Sequence, residues 1–117
     1  MKSLSQTDHS GAPPPLQPLL TSVRQELEAV YGPRLRHVIL HGSQARGEAH
    51  AESDVDIAVV LDGPVSFIRE SKRMSLFRLS LLERYDERVS FQFIDRGAFA
   101  ERQSAFLMNV HAEGVEL

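Results

Sequence analysis

Cysteine is absent from the 117 residues, which excludes a disulfide framework and a thiolate metal site. Long apolar runs are absent too: no stretch approaches the roughly 18 consecutive apolar residues a membrane helix needs. The opening MKSLSQTDHSG has no apolar core of a signal peptide, so a cytoplasmic location is expected. There is no basic excess either. A formal net charge of -3 argues against a protein that lives by coating nucleic acid, though a specific nucleotide site stays compatible with it. What is present, 42% hydrophobic and 25% charged residues, describes one soluble globular domain. A chain of this size buries roughly two thirds of its unfolded surface, enough for a single core.

Residues 1–15 are polar and end in Gly11-Ala12-Pro13-Pro14-Pro15, a composition that predicts a disordered tail. With no internal repeat and no second linker, a single domain is expected over 16–117. Leu16, Leu19, Leu20, Val23, Leu27 and Val30 recur at three- and four-residue steps, the spacing of a helix over 16–31. Gly32-Pro33 ends it. His37-Val38-Ile39-Leu40-His41 reads as a short buried strand, and 55–61 as a second one, stopped by Asp62-Gly63-Pro64. Helical periodicity returns over 66–84, with Phe67, Met74, Phe77, Leu81 and Leu82 on one face. Along 89–94, Val89, Phe91 and Phe93 alternate with Ser90 and Gln92, as in a half-buried strand. Asp95 caps an expected last helix over 97–112, with Phe99, Phe106 and Val110 inward. The fold class is therefore mixed α/β, in the order α-β-β-α-β-α, with a small mixed sheet flanked by helices. Spacing allows the second and third strands to pair in parallel and does not fix the sheet order.

The chemistry concentrates in VILHGSQARGEAHAESDVDIAVVL, residues 38–61. Asp54 and Asp56 are two apart at the head of a strand, so their carboxylates share a face. Like charges at that separation repel, and a divalent cation relieves them. Magnesium in particular is held by one or two carboxylates together with waters and substrate phosphates. Gly42-Ser43 stands where an apolar strand ends and a short helix can begin. Glycine there lets backbone N–H groups approach a phosphate, and the serine hydroxyl adds a donor. Arg46 is within reach of the same phosphates. Separately, each half of this pattern is common in structural loops and edges; together they point to a nucleotide-transfer site.

The run HGSQARGEAHAESDVDIAVV resembles the signature of the minimal nucleotidyltransferases, within the DNA polymerase beta-like superfamily. That pattern is Gly-Ser, about ten residues, then Asp-x-Asp on the next strand, with Ala45-Arg46-Gly47 and Ser53 matching its usual flanks. The resemblance implies the nucleotidyltransferase fold and Mg²⁺-dependent transfer of a nucleoside monophosphate from ATP or another NTP to a hydroxyl. Gly42 and Ser43 would hold the triphosphate, and Asp54 and Asp56 would ligate the metals. It also implies a macromolecular acceptor, with a small all-helical HEPN-type protein as expected partner and this chain as antitoxin of the pair. Neither a membrane nor nucleic acid is expected as a partner.

One position departs from the pattern. The superfamily carries a third carboxylate on a later strand, and the expected acid aligns here with Ser90. Gln92 shares that face, and Asp95 has the opposite parity. Serine is no general base near neutral pH, and losing such a base typically slows a reaction 10²–10⁴-fold. The alternative reading is therefore a nucleotidyltransferase-fold module of little or no activity that neutralises a partner by contact. His37 and His41 share a strand face but read as rim residues, with His41 next to the nucleotide. The cations Arg69, Lys72, Arg73 and Arg78 read as a solvated helix face.

Overall fold

The computed structural model describes residues 16–48, 54–102 and 104–117. The expected tail over 1–15 and the loop residues 49–53, Ser53 included, lie outside the described residues. Among those described, six helices and four strands follow one another. Helix α1, Gln17–Tyr31, places Pro18 in its first turn, where a missing N–H forfeits no intrahelical bond. Its periodicity delivers Leu19, Leu20, Val23, Leu27 and Tyr31 to one buried face. A single 3-10 turn, Gly32–Arg34, leads into β1, Leu35–His41, and the short α2, Gly42–Arg46, begins at the next residue. After β2, Val55–Leu61, come α3, Phe67–Arg73, and α4, Ser75–Tyr85. Strand β3, Val89–Asp95, is followed by α5, Arg96–Glu101, α6, Ala105–Glu113, and β4, Val115–Glu116.

The sheet order is β3-β2-β1-β4. β1 runs antiparallel to β2 and β4, while β2 and β3 are parallel, joined by the α3–α4 crossover that a parallel pair requires. The sheet is thus mixed, with helices on both faces. On one face Leu40, Ile57, Val59, Leu61 and Phe91 pack with α1 and with Met74 and Leu81. On the other Ile39, Ala58, Val60 and Ile94 meet Leu107 and Val110 of α6, with Phe99 packed alongside. No helix among the described residues is long and apolar enough to cross a membrane.

Three sequence expectations change. The helix expected over 66–84 breaks at Met74, where Ser75 Oγ donates to the Lys72 carbonyl at 2.9 Å and draws the chain off the helical path. The break turns Met74 and Leu81 inward and leaves Phe67 and Leu82 61% and 40% exposed. The helix expected over 97–112 is also two: Arg102 takes a left-handed φ of 55°, and Ser104 caps α6 by accepting from the Leu107 amide at 3.1 Å. Phe106 consequently lies at the surface, 40% exposed, instead of inward. Finally β4 was not expected. Two residues carry no readable period; the strand pairs with Ile39 and Leu40 of β1, and Gly114 before it passes so close to Ile39 that a Cβ would not fit.

Candidate functional site

The site lies where β1 ends and β2 begins. Antiparallel register sets His41 opposite Asp56, and parallel register sets Ser90 on the other side of Asp56. His41, Asp56 and Ser90 therefore form one row across three strands. β1 stops at His41 because Gly42 takes a φ of +73°, a left-handed conformation open to glycine, and α2 starts there. A Cβ on Gly42 would stand 2.5 Å from Asp56 Oδ2. The carboxylate thus occupies the space a side chain at position 42 would fill. One residue from each half of the sequence pattern, Gly42 and Asp56, is in this way brought close together.

Asp56 is half-buried, and burial pushes its carboxyl above the ordinary range, with the Asp54 charge adding to the rise and His41 and Arg46 opposing it. Asp54 precedes β2 and is anchored by its neighbour, since Val55 N–H donates to the Arg88 carbonyl at 2.8 Å. Its side chain is half exposed, with Arg88 Nε 3.3 Å from Oδ1. Arg46 is engaged by Glu48 at 2.8 Å and Glu113 at 3.4 Å, which hold its guanidinium beside α6. Such exposed pairs contribute little and exchange readily.

Ser90 carries a hydrogen bond that the sequence does not reveal. Gln92 Nε2 donates to Ser90 Oγ at 2.9 Å, so its amide oxygen faces the other way and accepts from His41 Nε2 at 2.6 Å. This bridge passes over β2 at Ala58, the register partner of Gln92, whose methyl leaves room for it. The Phe106 ring stands edge-on to His41 with centroids 5.4 Å apart. The shared parity of Ser90 and Gln92 was the available signal; only the sheet order shows that His41 joins them. Asp95, of opposite parity, caps α5 through the amides of Gly97 and Ala98. His37 is spent on Glu116 at 3.1 Å, pinning β4 to β1. Of the basic cluster, Arg73 pairs with buried Glu70 at 3.4 Å and Arg78 Nε donates to the Val89 carbonyl at 2.8 Å.

Among the described residues no group of three or more His, Cys, Asp and Glu converges as a metal cage. The donor set fits magnesium nonetheless, because that ion takes few protein oxygens and completes its shell with water and phosphate. Two carboxylates two residues apart, one of them raised by burial and by its neighbour's charge, would supply the oxygens and gain from a cation.

No curated protein matches the chain. Among solved structures, one from Sulfolobus solfataricus, described as a candidate nucleotidyltransferase, is 25% identical with a TM-score of 0.50, covering 85% of this chain and 76% of its own. A variant of the toxin–antitoxin MntA-HpeT is 21% identical (TM-score 0.51; 81% of this chain, 69% of that one). A toxin–antitoxin solved with AMP-PNP is 23% identical (TM-score 0.52; 81% and 69%). The last two share the fold. The family model of the nucleotidyltransferase domain matches residues 20–103, a span that includes Gly42, Ser43, Asp54, Asp56 and Ser90. The chain belongs to the nucleotidyltransferase domain family.

Proposed function

We propose that this domain, over 16–117, transfers a nucleoside monophosphate, AMP from ATP, to a hydroxyl of a macromolecular acceptor. The observation that carries the reading is the contact between the Gly42 turn and the Asp56 carboxylate. It sets a side-chain-free backbone turn and a paired carboxylate on one spot, as a metal-bound triphosphate requires. In this reading the turn at Gly42 and Ser43 holds phosphate oxygens, and Arg46 leaves Glu48 and Glu113 to reach them. Asp54 and Asp56 would hold Mg²⁺, which when bound withdraws charge from the phosphates and eases pyrophosphate departure. The acceptor oxygen bonds to the α-phosphorus as the bond to pyrophosphate breaks, and the hydroxyl proton passes to water.

Ser90 shapes how fast that happens. Its Oγ already accepts the Gln92 amide proton, so its own hydrogen is left to donate toward an oxygen; it has no basicity to take up the acceptor's proton. Turnover roughly 10²–10⁴-fold below that of a site with a carboxylate there is the expected consequence. The toxin–antitoxin neighbours support a protein partner, and a small helical HEPN-type protein, neutralised as a toxin, suits that reading. The same Ser90 favours a second reading, in which the domain binds nucleotide and partner without turnover.

Incubation with α-³²P-ATP, Mg²⁺ and lysate of the source cells, beside an Asp56→Asn control, separates the two. A labelled band that disappears in the variant is the expected result. No label with any of the four NTPs, from a chain that is folded, moves the assignment to the silent binding module.

A further inference from the structure

We infer that the acceptor is a protein, and that an apolar, carboxylate-bearing surface of it seats on the outer face of α4 beside Asp54. The inference rests on the transferase reading and adds where, and by what chemistry, the acceptor is held. Leu76, Leu79 and Leu82 follow one another at three-residue steps and are 79%, 51% and 40% exposed. Three leucines aligned on one helix face form a contiguous patch of the kind that marks an interaction site. The patch does not lie apart from the candidate site. Leu79 and Leu82 line a cleft of about 320 Å³ together with Asp54, Arg88 and Val89. A segment laid along α4 would therefore run beside Asp54.

Charge selects the occupant. Across 67–88 six cations stand against four acids, in a chain whose overall net charge is -3. One of those acids, Glu70, is only 1% exposed and takes the Tyr31 hydroxyl proton at 2.7 Å. The cations that line the cleft itself are Arg78, on α4, and Arg88. An acceptor that places apolar residues on the leucines and carboxylates against these two arginines satisfies both surfaces. RNA matches the charge but not the leucines, since bases stack on aromatic rings and this stripe has none. A second copy of this chain fits less well, because the basic stretch would meet itself.

The test is the label-transfer reaction with α-³²P-ATP, Mg²⁺ and source-cell lysate, run beside direct titration of ATP. Leu79→Asp and, as a second surface change, Leu76→Asp should each cut acceptor labelling about tenfold or more, the effect of losing a central contact. ATP affinity should stay within about twofold. Arg78→Gln should weaken labelling and flatten its dependence on salt. Met108→Asp, at a 59% exposed position on α6, should change nothing. If the native chain labels nothing, the transferase reading fails and this inference falls with it. If the native chain labels an acceptor and both leucine variants do so equally, the docking surface alone is overturned. An RNase-sensitive product, or label confined to a second copy of this chain, overturns it as well.

Discussion

On the α1 and α4 side of the sheet, β2 contributes Val55, Ile57, Val59 and Leu61, each fully buried among leucines. From the other side the same strand shows Asp56, Ala58 and Val60, and only the latter two sit in a packed cluster. The second face is graded along its length. Val60 and Ile94 pack against α6 at one end, while Asp56, Ser90 and Gln92 leave the other end polar. Burial of the Asp56 carboxyl is unfavourable there, and the charges of His41 and Arg46 offset it only in part. One face secures the fold, and that security lets the other carry an uncomfortable arrangement of charge.

The widest gap between the two faces should appear in core truncations. Leu27→Ala, on the fully packed side, should cost about 2–5 kcal/mol in urea unfolding. Leu107→Ala, on the smaller cluster and 8% exposed, should fall at or below the low end of that range. Equal losses would break the comparison. Gly42→Ala comes next. The left-handed backbone alone costs an alanine about 1–2 kcal/mol, and the new methyl must push Asp56 aside. This variant should lose Mg²⁺-dependent ATP binding, by titration calorimetry, while Leu107→Ala retains it.

Much of this division was legible in the residues. Parity along β2 and β3 assigned Asp56, Ser90 and Gln92 to one face, because a strand alternates strictly and each of these strands has a clear apolar face. The helix α1 was equally plain, its leucines keeping a single period. Where local chemistry competes with periodicity, reading failed. Ser75 and Ser104 draw backbone groups to their hydroxyls and divide helices that the apolar pattern treats as continuous. The leucine stripe of α4 was read partly as core, since a pattern records that residues are apolar and not whether anything covers them. The bridge from His41 through Gln92 to Ser90 depends on β1 and β3 flanking β2, a fact of sheet order that no spacing contains.

The central claim, that the polar end of the sheet sacrifices stability for a metal-bound nucleotide, is tested most directly by thermal unfolding of the native chain and Asp56→Asn, each with and without Mg²⁺-ATP. Without ligand the variant should melt at the higher temperature, because it removes a half-buried carboxylate that Asp54 repels. With ligand at ten times its Kd the native chain should gain about 1.4 kcal/mol by linkage, a rise of several degrees for a domain of this size. The variant should gain little. A native chain that does not respond to Mg²⁺-ATP, or a variant that rises as far as the native chain, would contradict the account.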